Sequence, residues 1–232
     1  MAIFDRFIRY EWAERALELA VQHGSHQSLQ NWLIEQGLGT ESASRTRNLL
    51  SRLWFDVNSS SSKLRADALD LSAALMPKEV LALHWGMAIV QFPVFRETAN
   101  VIGRLGFLQQ EFNKAEIIGR VLEKHSNQTT IRRAVERAIQ TMVNWSVLDM
   151  TSKSVYRFST EHSIFSSALA EWLFRSVMIV YPDKYWLLPD LLGSAELFPF
   201  DLLHHNITLY QSQYFTIERD SSGVEIIGIR PN

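Results

Sequence analysis

The clearest pattern of apolar and polar positions lies in residues 113–158, where it predicts two helices followed by a β-hairpin. The first helix has a potential N-cap at Asn113, with Glu116 three residues later as in a capping box. The second helix begins near Thr129 or Thr130, after a polar run that interrupts the pattern. Its predicted buried face consists of Ile131, Ala134, Val135, Ala138, Ile139, Met142 and Val143.

After Trp145 the pattern changes to two short β-prone segments, residues 146–148 and 154–158. Residues 149–153 between them form a polar tip that is suited to a wing. Helix, turn, helix and hairpin follow one another in the second half of a winged helix-turn-helix. A helix predicted at residues 95–109 directly precedes them and would be the first helix of that unit.

The rest of the chain is predominantly helical in its periodicity. The third helix from the N-terminus is predicted to start at Thr40 or Ser42, and residues 58–62 to form a loop. Residues 214–219 and 224–229 are predicted to form a terminal hairpin. Further helices are predicted at residues 3–22, 28–36, 64–75, 78–92, 163–180 and 185–192. The predicted fold is therefore mainly α, a helical bundle with a winged helix-turn-helix and two small β-hairpins.

These elements divide the chain into three predicted domains. Residues 1–92 form an N-terminal helical domain, residues 93–160 the winged helix-turn-helix, and residues 161–232 a C-terminal helical region with a terminal β-hairpin. Pro93 marks the first boundary, because proline interrupts a continuing helix.

Composition limits the class of protein. The chain has 232 residues, 47% of them hydrophobic, so it is able to bury a full core. It has no cysteine, which excludes disulfides, thiolate metal sites and a cysteine nucleophile and fits a reducing cytoplasm. No apolar run approaches the roughly 18–20 residues of a membrane span, so no membrane association is expected. The first residues are amphipathic and acidic, unlike a signal peptide.

Charge is distributed unevenly, although the net charge is only −2. Residues 113–158 contain eight Lys or Arg against four Asp or Glu, and residues 40–65 contain five against two. Residues 159–232 contain four against nine. This asymmetry permits a basic face on a nearly neutral protein, and ordinary variation of surface charge is the alternative.

The second helix of the predicted winged unit carries the candidate DNA contacts. Bound to duplex DNA, it would enter the major groove near its N-terminus. Arg137 would contact the backbone further along, and Lys153 at the wing tip would reach the adjacent phosphate chain. Solvated arginines on an amphipathic helix are the alternative. The residues placed to touch phosphates or base edges are Gln128, Thr129, Thr130, Arg132 and Arg133.

A second basic helix start lies within residues 40–52. Ser44, Arg45 and Arg47 combine a hydroxyl group and two guanidinium groups close to a predicted helix N-terminus. Phosphates bind well at such a position, because the free N–H groups of the first turn point outward. These residues would help the winged unit to hold DNA, and a capped helix with solvated arginines is the alternative.

Motifs of catalysis and cofactor binding are missing from the sequence. It contains no Walker loop, no glycine-rich dinucleotide motif, no nucleophile elbow and no HExxH pattern. The adjacent His204 and His205 cannot share a helical face, so a metal site is not expected there. His84 lies in an apolar helix and is expected to be a hydrogen-bonded core or surface histidine. We therefore expect a protein that is not an enzyme and has no catalytic residue, metal or cofactor.

Three short motifs add a family resemblance. They are residues 42–47 (SASRTR) with Arg52 and Leu53, residues 198–200 (FPF) and residues 212–219 (SQYFTIER). Together with the helical N-terminal part, they resemble the BrxA-type small proteins of BREX phage-defence systems. The resemblance spans most of the chain and rests on short motifs. It implies a DNA-binding accessory protein of a multi-gene defence system, with other defence-system proteins as partners, and it assigns no catalytic residue.

Two functions follow from the sequence. The preferred one is non-catalytic binding of double-stranded DNA by an accessory protein. The alternative is a scaffold subunit that uses the winged helix as a protein–protein interaction module, because one fold serves both roles.

Overall fold

Helices make up most of the chain in a computed structural model that describes residues 3–126, 128–160 and 162–230. The mainly helical class predicted from the sequence is confirmed. The α-helices are α1 (Tyr10–Val21), α2 (His26–Glu35), α3 (Thr40–Trp54), α4 (Ser62–Ser72), α5 (Val80–Gln91), α6 (Pro93–Leu108), α7 (Lys114–Leu122), α8 (Gln128–Asn144), α9 (Ser167–Met178), α10 (Leu188–Leu192) and α11 (Asn206–Gln211). The strands are β1 (Phe112–Asn113), β2 (Leu148–Ser152), β3 (Val155–Phe158), β4 (His162–Ser163), β5 (Trp186–Leu187), β6 (Phe200–Asp201), β7 (Phe215–Arg219) and β8 (Glu225–Ile229).

The N-terminal segment, residues 3–9, is irregular, so the prediction of a helix from residue 3 was wrong. It is fastened to the end of α8. The backbone N–H of Ile8 donates to Thr141 Oγ1 at 3.0 Å, and Trp145 Nε1 donates to the Ile8 carbonyl at 3.1 Å. Phe4 and Ile8 are buried four residues apart. Because this spacing also fits a helix, periodicity alone could not distinguish the two structures.

The N-terminal helices and the C-terminal part share contacts. α1 packs on α2 and α3, α3 on α5, and both α4 and α5 on α9. Two indole groups connect the N-terminal helices to the C-terminal part. Trp85 Nε1 in α5 donates to the Glu196 carbonyl at 2.8 Å, and Trp172 Nε1 in α9 donates to the Leu64 carbonyl in α4 at 2.7 Å. Trp54, Trp85 and Trp172 are buried, as expected for tryptophans that pack in a core.

Residues 93–158 have the order helix, strand, helix, helix, strand, strand. α6, α7 and α8 pack against one another. β3 lies between β1 and β2 in an antiparallel sheet of order β1-β3-β2. The predicted N-cap is confirmed, because Asn113 Oδ1 accepts a hydrogen bond from Glu116 N at 2.9 Å. The Glu116 carboxylate accepts a hydrogen bond from Arg120 Nη2 at 2.9 Å, so among the described residues only the Asn113 half of the predicted capping box is present.

Both predicted β-hairpins are present, as β2–β3 and β7–β8, and further short strands were not predicted. β2 extends to Ser152, through most of the predicted tip, and leaves only Lys153 and Ser154 as the turn. β5 adds a third strand to the terminal hairpin in the order β5-β8-β7, and β4 pairs in parallel with β6. β1, β4, β5 and β6 each contain two residues, which is too short for an alternating pattern to be recognised. The helix predicted from residue 163 begins later, at Ser167.

One hydrophobic core connects the three predicted domains. Its buried residues run from Phe4 to Ile227 and form a single cluster. The closest junction lies between α6 and a short 3-10 helix at Ala195–Leu197. A Cβ atom added at Gly103 would lie 2.0 Å from the Ala195 carbonyl oxygen. The division at residues 92 and 160 remains a prediction.

His84 lies within this core. Its ring is fully buried, with the rings of Tyr10, Trp54 and Trp145 at centroid distances of 5.6, 5.5 and 6.0 Å. Neither ring nitrogen has a hydrogen-bond partner among the described residues, so the prediction of a hydrogen-bonded histidine was wrong. Burial lowers the pKa of His84 to about 3, because the apolar surroundings disfavour the charged imidazolium.

Within the described ranges, no helix has both the length and the apolar character needed to cross a membrane.

Candidate nucleic-acid interface

The exposed face of α8 carries three arginines. Arg132, Arg133 and Arg137 are exposed, whereas the opposite face of the helix is buried against α6 and α7. In the described part of the chain, no ion pair neutralises Arg132 or Arg133. Arg137 Nη1 donates to the uncharged Gln140 Oε1 at 2.7 Å. All three positive charges are therefore available to a ligand in solution.

The first turn of α8 presents polar groups beside these charges. The helix begins at Gln128, one residue earlier than predicted. Gln128 and Thr129 are exposed, and Thr130 is half-buried. Backbone N–H groups in the first turn of a helix lack intrahelical acceptors, and the helix macrodipole makes that end positive. The exposed side chains of Gln128 and Thr129 therefore lie at the positive end of the helix, which suits phosphate groups.

The turn between β2 and β3 supplies a second basic position. Lys153 is exposed there, and the neighbouring Ser154 carbonyl accepts a hydrogen bond from Lys114 N at 2.9 Å. This contact brings the start of α7 and its Lys114 next to the turn. Lys114 was not among the predicted contacts, because the two-residue strand β1, which pairs with β3, has no recognisable sequence pattern. Lys114 and Lys153 form no ion pair within the described ranges.

Ion pairs neutralise some of the other charged residues in 113–158. Of the acidic residues in 113–158, Glu116 pairs with Arg120 at 2.9 Å and Asp149 pairs with Arg157 at 3.4 Å. Of the eight basic and four acidic residues of this range, six cations and two carboxylates then form no ion pair with the described part of the chain. One of the two, Glu136, is half-buried near Tyr156. Burial and this carboxylate raise the pKa of the Tyr156 hydroxyl.

The structure does not bring Ser44, Arg45 and Arg47 to the same end of α8. Arg6 Nη1 donates to Ser42 Oγ at 3.1 Å, which ties the start of α3 to the N-terminal segment. That segment meets α8 at Thr141, about 16 Å along the helix from Thr130.

The α3 residues also have partners of their own. Arg45 pairs with Glu41, Arg47 Nη2 donates to Asn48 Oδ1 at 2.6 Å, and Ser44 is half-buried.

An apolar groove lies beside the hairpin. It has a volume of about 560 Å³ and is lined by Phe7, Val143, Met150 and Tyr156, among others. The Met150 side chain is 61% exposed. Exposed apolar surface next to polar residues is typical of sites where another molecule packs.

Polar groups elsewhere have structural roles. The buried carboxylate of Glu79 accepts backbone hydrogen bonds from Phe165 at 2.8 Å, Ser166 at 3.0 Å and Met76 at 3.3 Å, so it joins the start of α5 to the start of α9.

In residues 3–126, 128–160 and 162–230, no group of three or more His, Asp or Glu side chains is arranged to hold a metal ion.

These features define a helical protein with an exposed cationic helix beside a three-stranded sheet. Comparisons of the chain with protein-family models, curated proteins and solved structures found no match. The distribution of charge and exposure in residues 93–158 is therefore the basis for a proposed function.

Proposed function

We propose that α6, β1, α7, α8, β2 and β3 form a winged helix-turn-helix through which the protein binds double-stranded DNA without catalysis. The order of these elements and the sheet order β1-β3-β2 support this assignment. In this arrangement α8 is the recognition helix and the β2–β3 turn is the wing.

One observation carries the proposal. Arg132, Arg133 and Arg137 are exposed on α8 without carboxylate partners in the described ranges, and Lys153 is exposed at the nearby turn. An α-helix fits the major groove, and guanidinium groups bind phosphate oxygens with two parallel hydrogen bonds. Gln128, Thr129 and Thr130 would lie closest to base edges. Most of these contacts would hold phosphates, which fixes position and gives little sequence preference.

The proposed cellular role is that of a cytoplasmic accessory protein in a phage-defence system of the BREX type, acting with other proteins of that system. It rests on the resemblance of residues 42–47, 198–200 and 212–219 to BrxA-type proteins. Phe198 and Phe200 are buried against Trp85, with ring centroids 5.5 and 6.2 Å away, and residues 215–219 form β7. Two of the three motifs thus belong to the packing of the fold.

The test is a double substitution, Arg132→Ala/Arg133→Ala. Displacement of counterions makes the logarithm of DNA affinity fall with the logarithm of salt concentration by about 0.9 per phosphate contact. Loss of two contacts should therefore reduce that slope by about 2 and weaken binding to every duplex. Fluorescence anisotropy of a labelled duplex across a salt series measures both quantities.

A matched control is Arg9→Ala/Arg219→Ala. It removes two exposed arginines that pair with Glu11 and Glu225, one beside the C-terminal end of α8 and one on the terminal sheet. This variant should keep the salt slope of the unmodified protein. Absence of duplex binding by the unmodified protein at low salt would refute the proposal.

The alternative, a protein–protein scaffold, is favoured by the apolar groove at Met150. A partner protein held there should co-purify with the chain after nuclease treatment, and Met150→Asn should release it because a polar group would be buried in the contact. Met150→Asn adds no charge, so DNA binding through Arg132 and Arg133 should be unaffected and the two functions are separable.

A further inference from the structure

A polar cleft lies between α3, the end of α5 and the start of α6. It has a volume of about 870 Å³. On α3 its lining residues Arg47, Asn48, Ser51 and Arg52 occupy two adjoining rows of the helix, because residues four apart lie one above the other. Across the cleft lies Gln91, the last residue of α5. The cleft belongs neither to α8 nor to the β2–β3 turn.

Positive charge in the cleft exceeds negative charge. Asp56 is the one carboxylate among the described residues that line it, and it lies 3.4 Å from His26 Nε2. Arg47 and Arg52 have no carboxylate partner within the described part of the chain. Of the two, Arg52 is exposed and Arg47 is half-buried. Two guanidinium groups therefore face a cleft that holds one carboxylate.

Arg47 is held in place with one donor unused. Its Nη2 donates to Asn48 Oδ1 at 2.6 Å. Its Nε is buried and has no acceptor among the described residues. A buried donor without an acceptor is unfavourable, and a bound oxyanion that reached it would supply the acceptor. Arg47 therefore has one side-chain acceptor, Asn48 Oδ1, and a buried Nε without one.

The remaining lining residues define the chemistry of that ligand. Asn48, Ser51 and Gln91 supply amide and hydroxyl groups, and no Phe, Tyr or Trp lines the cleft to stack on a nucleobase. Two of these groups are already oriented, since His26 Nδ1 and Ser51 Oγ are 2.8 Å apart and Gln91 Nε2 donates to Ser61 Oγ at 2.8 Å. Such a site suits a compact anion with several acceptor oxygens.

We propose that this cleft binds the phosphate group of a small phosphorylated ligand, with Arg47 and Arg52 as its two charged contacts. Arg47, which the sequence assigned to a DNA surface, then has a different role. The proposal is independent of DNA binding by α8.

The experiment is calorimetric titration of the full chain with inorganic phosphate and with glycerol 3-phosphate as a phosphate monoester. Saturable binding is expected, and Arg47→Gln and Arg52→Gln should each weaken it at least tenfold. The matched control is Arg45→Gln, on the same helix but paired with Glu41 and outside the cleft, which should bind as the unmodified protein does. Because Arg52 is exposed, Arg52→Gln keeps the test valid even if Arg47→Gln unfolds the protein.

Duplex binding separates this site from α8. Arg132→Ala/Arg133→Ala should leave phosphate binding unchanged, and Arg52→Gln should leave duplex affinity within about twofold. No saturable binding of either probe, or equal binding by Arg52→Gln, would overturn the proposal. It would also fail if Arg52→Gln weakened duplex binding as strongly as the α8 double variant, because the cleft would then be part of a DNA surface.

Discussion

His84 places a neutral imidazole among Tyr10, Trp54 and Trp145, where neither ring nitrogen finds a partner in the described residues. The ring contributes packing surface, but its polar atoms lose their hydrogen bonds to water on folding. Desolvation of that kind costs about 1–3 kcal/mol. An apolar side chain of similar volume would keep most of the packing without this cost.

We predict that His84→Leu raises the free energy of unfolding by about 1 kcal/mol at pH 7. A urea titration followed by circular dichroism measures it. Lower stability of the variant would show that contacts of the imidazole ring outweigh the unbonded nitrogens.

The same residue makes stability depend on pH. In the unfolded chain His84 takes up a proton below pH 6.5, whereas the folded protein, with its pKa lowered to about 3, does not. Since the unfolded state then binds more protons, stability is full above pH 6.5 and falls as the pH is lowered towards 3. Between pH 7 and pH 5 the unmodified protein should lose about 2 kcal/mol relative to His84→Leu. Urea titrations at both pH values measure this difference.

At the scale of elements, two helical glycines should respond in opposite ways to the same substitution. A Cβ at Gly103 in α6 would meet the Ala195 carbonyl oxygen at 2.0 Å, whereas at Gly119 in α7 it would meet nothing within 4 Å. Alanine in a helix interior is favoured over glycine by about 1 kcal/mol. We expect Gly119→Ala to stabilise by up to that amount and Gly103→Ala to destabilise, because backbone must move. Thermal unfolding of the two variants in parallel provides the comparison.

The sequence predicted those elements whose signal is local. The cap at Asn113, the buried face of α8 and the terminal hairpin each have a pattern within a few residues of themselves. β1, β4, β5 and β6 exist only because distant partners hold them, so no local pattern indicates them.

The residues of the candidate site also differ in whether a local sequence pattern indicates them. Exposure of Arg132 and Arg133 follows from helical periodicity, whereas the position of Lys114 beside the wing depends on strand pairing. The cleft at Arg47 depends on the packing of α3 against α5, which the sequence does not specify.

For the whole molecule, the single core implies cooperative unfolding. Phe95 packs on Phe4 and Trp85 at ring distances of 5.1 and 5.2 Å, so the predicted first and second domains share aromatic contacts. We predict that tryptophan fluorescence and circular dichroism report the same transition midpoint in urea, as a two-state protein requires. Two separated transitions would instead support independent domains with boundaries near residues 92 and 160.

The hydrogen bond between the N-terminal segment and α8 joins residues that are translated at different times. Ile8 and its acceptor Thr141 are 133 positions apart, and a ribosome adds about 5–20 residues per second. Roughly 7–27 seconds therefore pass between translation of the two residues, and Ile8 cannot form this hydrogen bond in that interval. The nascent chain should accordingly be a substrate for chaperones that bind apolar segments emerging from the ribosome. Slowing translation between codons 9 and 141 should lengthen that association.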